Sequence, residues 1–352
     1  MSSEPTPGRP RIAVLRALPG IGDLLCAVPA LRALRAAHPA AHVTLLGLPS
    51  ASWFVARYPD LVDDLLPVDG VAGLPEVEPD PVRALAFYRR AQERRFDLGL
   101  QVHGSGTTTN PLLTMLGARH QVSAHREGDW VPPGVSVVYP EDRPEIDRLL
   151  AVTSAAGCPP VGRHVDLPVD DAEDAEAVHL LARAGVGDRP FACVHPGASR
   201  PERRWSAPCF AIAADHLARK GLPVVVTGST GERHLTRSVL ARMAAPSGPA
   251  TGPGAVDLAG RTSVGVLGAL QRRSCLVTTN DTGASHVAAA VKTPSVVVFG
   301  SRETRRWAPL DAERHLQVTG PGRSGWSGWP EPADVTAAID VQLARFGTGG
   351  SR

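Results

Sequence analysis

Short apolar runs alternate with amphipathic stretches along the first hundred residues of the chain. The apolar runs have the length of buried strands, and the stretch 24–37 carries apolar residues at helical spacing, with Pro29 inside it as a predicted kink. Such alternation is typical of parallel βαβ units. The pattern predicts strands at 11–15, 42–47, 65–68 and 97–102, and helices at 24–37, 51–58 and 82–94.

The alternation weakens between residues 121 and 170 and then restarts. One helix is predicted there, at 145–156, and the Pro- and Gly-rich cluster 157–162 predicts a domain boundary. We therefore expect domains at 1–163 and 164–330, and a tail at 331–352 whose helix packs back towards the first domain. Beyond the cluster the pattern predicts helices at 171–184, 207–219, 231–243, 263–272 and 331–346, and strands at 191–194, 223–227, 274–278 and 294–300.

Composition narrows the class of protein. The chain has 352 residues, enough for two domains, and its 43% hydrophobic and 20% charged residues are typical of globular proteins. The 37 basic and 35 acidic residues almost cancel, so nucleic acid is not an expected partner. No apolar run reaches the roughly 20 residues of a membrane span, and the polar start differs from a signal peptide. We expect a cytoplasmic protein, with peripheral membrane contact left open.

The strongest motif is the segment 279–290, which lies between two predicted strands. A helix that starts in Asp-Thr-Gly-Ala-Ser presents free backbone N–H groups and the positive end of its dipole, which suits a phosphate. His286 follows Thr282 by four residues, so both lie on one helix face. The alternative is a simple N-cap, Asp281 or Thr282, before a packed helix with a structural histidine.

The first strand-to-helix turn holds a second candidate, Gly22-Asp23. A carboxylate at the carboxyl end of a parallel strand faces the usual ligand crevice, but Asp23 could equally be the N-cap of the following helix. The turn does not fit a dinucleotide fingerprint, because Leu25 stands where a third glycine is needed and no acidic residue ends the second strand. NAD is therefore not predicted.

Two loops of the second half carry further candidates. The segment 195–199 is followed by Arg203 and Arg204, which could clamp a phosphate or belong to a solvated basic loop. Glu232 follows the strand at 223–227 and could accept hydrogen bonds from ribose hydroxyls, or interact with a helix dipole.

A further motif, Leu-Ala-Gly-Arg-Thr-Ser at 258–263, lies between Glu232 and the segment 279–290. Taken in chain order, these motifs resemble glycosyltransferase family 9, the ADP-heptose heptosyltransferases of lipopolysaccharide core assembly. The resemblance runs from about residue 11 to 309. It implies a GT-B fold: two Rossmann-like, doubly wound α/β domains that face each other across a cleft, with the nucleotide on the C-terminal domain and the acceptor on the N-terminal one.

Carried over by position, the resemblance makes Asp23 the catalytic base. Arg203 stands where the family commonly has lysine and is expected to face the donor diphosphate, and Glu232 is expected to hold the ribose. The other expected donor-binding residues are Ser199, Asp281, Thr282, Gly283 and His286, and the expected acceptor-side residues are Gly22, His103, Gly104 and Ser105. Trp326 and Trp329 are not typical of the family, and no role is predicted for them.

These observations predict an inverting transferase that moves heptose from ADP-heptose to a hydroxyl of a glycan or a secondary metabolite. No cofactor and no metal are expected, because the acidic pairs 63–64 and 170–171 look like solvated surface. Two alternatives remain open: a nucleotide-sugar epimerase or isomerase on the same architecture, and a non-catalytic nucleotide-sugar binding protein. The acceptor, the exact donor and the oligomeric state are open as well.

Overall fold

The computed structural model of the protein describes residues 8–244, 254–300, 304–320, 322–323 and 326–347. The chain divides into two compact units, residues 1–165 and 166–352. The division lies beside the Pro- and Gly-rich cluster of the sequence.

The first unit is built on a parallel sheet in the order β3-β2-β1-β4-β5-β6. Its apolar strands are covered by helices on both faces, as the strand order of a doubly wound fold requires. The elements are β1 (Arg11–Leu15), α1 (Ile21–Leu25), α2 (Val28–Ala37), β2 (His42–Gly47), α3 (Ser52–Arg57), β3 (Asp64–Pro67), α4 (Pro81–Glu93), β4 (Leu98–Gln101), α5 (Thr109–Met115), β5 (His120–His125), β6 (Val135–Val138) and α6 (Glu145–Ala155).

The second unit has a parallel sheet in the order β12-β11-β10-β7-β8-β9. Helices α8 and α13 contribute to the core on one face, and α7 and α10 to the core on the other. The elements are α7 (Asp171–Arg183), β7 (Ala192–His195), α8 (Ala207–Arg219), β8 (Val224–Val226), α9 (Arg233–Leu240), β9 (Ala255–Asp257), α10 (Val264–Arg273), β10 (Leu276–Asn280), α11 (Gly283–Ala290), β11 (Ser295–Phe299), α12 (Thr304–Trp307), β12 (His315–Thr319), β13 (Gly322–Arg323), β14 (Trp326–Ser327) and α13 (Pro332–Phe346).

The predicted fold class, α/β with two Rossmann-like doubly wound domains, is confirmed. The predicted cleft concerns both units together and stays a prediction. So does the contact of the last helix with the first domain; within the second unit, α13 packs on α8, β11 and β12.

Three local predictions were wrong. The single helix expected at 24–37 is two helices, because Pro29 lies in the first turn of α2, where its missing N–H costs nothing. The region 121–170 holds most of β5, whose polar residues interrupt the apolar pattern, and β6, whose residues are half-buried or exposed. Asp63 is not solvated surface, since Arg9 and Arg35 donate to its carboxylate at 3.0 and 2.8 Å.

Candidate functional site

The loops that follow β7 and β10 lie side by side in the second unit. The two strands are parallel neighbours, with Thr279 opposite His195, so their carboxyl ends reach the same edge of the sheet. The segment 196–205 leaves β7 at this edge, and the 281–283 turn leaves β10. The edge is where open α/β sheets bind their ligands.

Asn280, the last residue of β10, fastens the two loops to each other. The residue is fully buried. Its Nδ2 donates to the carbonyl of Pro196 at 2.9 Å, and its Oδ1 accepts from the backbone N–H of Trp205 at 2.9 Å. Both ends of the 196–205 loop are therefore held by one side chain. Sequence reasoning missed this role; a polar amide at the end of a buried strand was the available signal.

Asn280 thereby places Arg203 next to Asp281. The Arg203 Nη2 donates to the Asp281 Oδ2 at 2.6 Å, while the Asp281 side chain is 8% exposed and that of Arg203 41% exposed. Part of the guanidinium edge is thus available to a ligand, because an arginine has five N–H donors and the contact with Asp281 uses one. The structure brings these two predicted residues into contact.

Glu232 lies against the same loop, on the 3₁₀ turn Thr230–Glu232 after β8. Its Oε2 accepts from the backbone N–H and the hydroxyl of Ser229, at 2.7 and 2.8 Å. A Cβ on Gly197 would come within 2.3 Å of Oε1, so a side chain there would have to displace the Glu232 carboxylate. Burial alone would raise the pKa of Glu232, but the hydrogen bonds from Ser229 and the charge of Arg204 hold it below its usual value.

Arg204 is not turned to solvent, although it was a candidate for a solvated basic loop. Its Nε donates to the carbonyl of Ala198 at 2.8 Å, and its charge acts on Glu232. Ser199, by contrast, is exposed on the same loop. The His195 Nδ1 and the Thr227 hydroxyl form a hydrogen bond of 3.0 Å. Burial lowers the pKa of the His195 imidazole.

The helix of the strongest motif, α11, begins at Gly283 with Thr282 as its N-cap residue. The Thr282 side chain makes no capping hydrogen bond, and Asp281 precedes the cap. His286 is 7% exposed, with its ring packed edge-on to Trp307 at 6.3 Å between centroids. Asp281, Thr282 and Gly283 therefore lie at the sheet edge with Arg203, while His286 lies further along the chain, inside α11.

In the first unit, Arg16 organises the turn that carries Gly22 and Asp23. Arg16 is fully buried at the end of β1, and its Nη2 donates to the buried Glu145 at 3.1 Å. Its Nε donates to the Asp23 carbonyl at 2.6 Å, and its Nη2 lies 4.0 Å from the Asp23 Oδ1. Sequence reasoning missed Arg16; a charged residue directly after an apolar strand was the signal.

Asp23 is not an N-cap. Helix α1 begins at Ile21, with Gly20 as its N-cap residue, and Asp23 lies inside the first turn with a side chain that is 23% exposed. This excludes the capping alternative.

His103 joins the acceptor-side loop to the same cluster. Its Nδ1 accepts from the backbone N–H of Ala17 at 3.1 Å, which leaves the proton of the neutral ring on Nε2. Burial, with a further contribution from Arg16, lowers its pKa to about 4. The loop holding Gly104 and Ser105 follows directly, and the Thr109 hydroxyl fastens it by donating to the His103 carbonyl at 3.1 Å.

Outside these loops, Trp329 packs on the core of the second unit with its ring against Gly300, whereas the side chain of Trp326 lies outside the described residues. Within the described ranges, no group of three or more His, Cys, Asp or Glu could hold a metal ion. No helix in those ranges is long and apolar enough to cross a membrane.

Comparison with known proteins identifies a family whose model matches this chain. The model described as glycosyltransferase family 9 (heptosyltransferase) matches residues 84–319. Lipooligosaccharide heptosyltransferase 2 of Haemophilus influenzae is 31% identical over 147 residues, so the match spans only 41% of either protein. Lipopolysaccharide heptosyltransferase 3 of Escherichia coli K12 is 25% identical over 296 residues, 82% of each. The structure of E. coli ADP-heptose lps heptosyltransferase II superposes with a TM-score of 0.73 at 20% identity, covering 95% of this chain and 99% of that one.

Proposed function

Because this chain belongs to glycosyltransferase family 9 (heptosyltransferase), we propose that it transfers heptose from ADP-heptose to a hydroxyl of a glycan or secondary-metabolite acceptor. The donor is taken from a structural neighbour that is named for ADP-heptose. The contact that carries the proposal is the Arg203–Asp281 pair, held by Asn280 beside the start of α11. A cation and a helix N-terminus at one sheet edge suit a diphosphate.

The proposed reaction is a single displacement with inversion. The acceptor oxygen attacks the anomeric carbon, the bond from that carbon to the diphosphate oxygen breaks, and Asp23 takes the hydroxyl proton as general base. The departing ADP carries the growing negative charge. In this proposal His103, Gly104, Ser105 and Gly22 line the acceptor side.

Arg203 and the first N–H groups of α11 are proposed to stabilise the leaving diphosphate. Such preorganised donors act most strongly on charge that develops in the transition state. The guanidinium can bind two phosphate oxygens in its fixed fork, which the lysine common in the family cannot do. Asp281 orients the guanidinium, and His286, inside α11, is proposed to belong to the donor site as well. Ser199 lies on the exposed part of the same loop, where it can reach a phosphate or sugar hydroxyl.

Glu232 is proposed to accept hydrogen bonds from the ribose hydroxyls of the nucleotide. Its pKa is held below the usual value, so the carboxylate is ionised at neutral pH, and an ionised carboxylate has only acceptor positions. With Arg203, Arg204 and the helix start to balance the diphosphate, we propose that the reaction needs no metal. The chain has no CxxC pair, which fits a reducing cytoplasm as the place of the reaction.

Calorimetric titration with ADP and UDP, followed by assays of ADP release from ADP-heptose with a panel of glycan and aglycone acceptors, tests this function. We expect ADP to bind more tightly than UDP, acceptor-dependent release of ADP, and unchanged turnover in excess EDTA. Conversion of a nucleotide sugar without acceptor would establish the epimerase alternative instead. Binding of ADP-heptose with no turnover across the panel would favour a binding protein, and loss of turnover in EDTA would contradict metal independence.

A further inference from the structure

A cavity of about 360 Å³ lies between α4 and α5 of the first unit, and none of the predicted site residues lines it. Its volume is at the lower end of the range for small-molecule pockets, roughly 300–1,000 Å³. The walls are mostly apolar or aromatic, with three residues from each helix: Pro81, Ala84, Tyr88, Pro111, Leu112 and Met115.

The loop that closes one end of this pocket is fixed in place. Gly70 adopts a φ of +68°, and a Cβ there would come within 2.5 Å of the backbone of Asp80 and Ala84. The Asp80 N–H donates to the Gly70 carbonyl at 2.9 Å, and Val71 and Leu74 are each 4% exposed in the core of the unit. The pocket is therefore preformed rather than the result of a loose loop.

The pocket adjoins the acceptor-side loop. Helices α4 and α5 follow strands β3 and β4, so their N-termini lie at the carboxyl edge of the sheet, the edge that also carries Asp23. Thr108 lines the pocket, and the next residue, Thr109, is hydrogen-bonded to the carbonyl of His103. As N-cap residue of α5, Thr108 makes no capping hydrogen bond with its side chain, which leaves a hydroxyl for a ligand.

The charges beside the pocket disfavour an anion. The segment 69–83 contains four carboxylates and one arginine. That arginine, Arg83, already donates to Asp80 at 3.1 Å and to Asp69 at 3.3 Å. Glu76 and Glu78 are exposed on the same loop. A phosphorylated or carboxylated ligand would meet uncompensated negative charge, whereas a neutral or cationic one would not.

We propose that this pocket binds a compact apolar group, a ring system or short branched chain, of an uncharged or cationic acceptor. The proposal rests on the proposed function only in calling the ligand the acceptor of sugar transfer. The apolar group lies between α4 and α5, and the hydroxyl to be modified extends from it towards the loop at His103. The acceptor is then an apolar aglycone rather than a phosphorylated saccharide.

Fluorescence titration with N-phenyl-1-naphthylamine, a neutral aromatic probe, tests the pocket on the full chain without need of turnover. We expect saturable binding at one site. Met115→Glu should weaken it by about tenfold or more, because the variant places a carboxylate in an apolar wall. Leu85→Glu is the matched control: Leu85 is 71% exposed on α4 and Met115 52% exposed, but Leu85 does not line the pocket. The control should stay within about twofold of the parent.

Four results would overturn the proposal. Absence of saturable binding would remove the site, and equal loss in both variants would indicate an open apolar surface. Binding of anionic anilinonaphthalene sulfonate as tightly as of the neutral probe would contradict the charge argument. If the protein sediments with phosphatidylglycerol vesicles and Leu85→Glu abolishes this binding, the surface around the pocket would be assigned to a membrane. ADP affinity is measured on the same variants and should not change. The test of the proposed donor is therefore independent of the test of the pocket.

Discussion

Asp23, the proposed general base, allows the most direct test of the proposed mechanism. Asp23→Asn keeps the shape of the side chain in the first turn of α1, but it removes proton acceptance together with the negative charge 4.0 Å from the Arg16 Nη2. We expect kcat to fall by about 10²–10⁴-fold, the usual contribution of a general base. ADP affinity, measured by calorimetry, should stay within a few-fold, since no donor-binding candidate lies in that unit.

The exposed Asp60 provides the control, as Asp60→Asn should leave kcat unchanged. Near-normal turnover of Asp23→Asn would mean that another group takes the proton.

Arg203 is expected to act through its charge and its fork. A charge-assisted hydrogen bond contributes about 1.5–3 kcal/mol, so Arg203→Ala should lower kcat/KM by about 10–200-fold. Arg203→Lys should lose less, because it keeps the charge without the fork. Steady-state kinetics with the donor varied measure both.

Arg200, exposed on the same loop, is the matched control for that series. Arg200→Ala should be nearly silent, and equal losses at 200 and 203 would show that only the general basicity of the loop matters. Arg204→Ala is no control, because Arg204 fastens Ala198 and acts on Glu232.

At the scale of the elements, β10 offers a pair of buried polar residues with opposite expectations. Asn280→Ala leaves the Trp205 N–H and the Pro196 carbonyl without partners, and should lower the free energy of unfolding of the second unit by about 1–3 kcal/mol and raise the donor KM. Thr278 is equally buried, and within the described residues its hydroxyl has no hydrogen-bond partner. Thr278→Val should therefore be neutral or slightly stabilising.

Urea unfolding and donor kinetics on both variants decide the point. If Asn280→Ala lowers stability without raising the donor KM, the amide is structural and does not position the loop. If Thr278→Val is as damaging as Asn280→Ala, burial rather than hydrogen bonding explains both results.

At the scale of the whole molecule, each unit contains a histidine that is held neutral. Burial is the main cause that lowers the pKa of His103 and of His315 to about 4, from an ordinary value of 6.5. Between pH 6.5 and pH 4 each histidine is protonated in the unfolded chain but neutral in the folded unit. Its contribution to the free energy of unfolding is therefore complete above pH 6.5 and is lost progressively as the pH falls to 4. The full loss is about 3 kcal/mol for each histidine.

Urea unfolding of each unit at pH 7 and pH 5 measures this loss. His315→Gln should reduce the pH dependence of the second unit, in which burial also lowers the pKa of His195, while His179→Gln, on the exposed face of α7, should leave it unchanged. Because two units can unfold separately, the transitions must be fitted one by one. An unchanged slope in His315→Gln would assign the pH dependence to other groups.

The sequence by itself determined the strand–helix alternation of both units and the main motif, but apolar periodicity did not predict α5, β5, β6, β9 or β12. The ends of α8 and α13 and the strand β2 follow directly from apolar periodicity and from Pro, Ser and Gly at their ends, since these signals act over a few residues. The turn at 281–283 was predictable for the same reason, because small polar residues between two apolar runs leave few other structures.

Only the tertiary structure decided which side chains meet. Arg203 contacts Asp281 across 78 positions of sequence, Arg16 contacts Glu145 across 129, and the pocket between α4 and α5 joins two elements without a shared motif. Hydrogen bonds and apolar contacts of this kind depend on the direction of each side chain and on the sheet order. The local sequence pattern specifies neither the direction of a side chain nor the sheet order. A strand end or a pair of basic residues has the same sequence pattern whether it faces solvent or another side chain. The burial of Arg16, the fastening of Arg204 and the low pKa of His103 became visible only once the chain had folded.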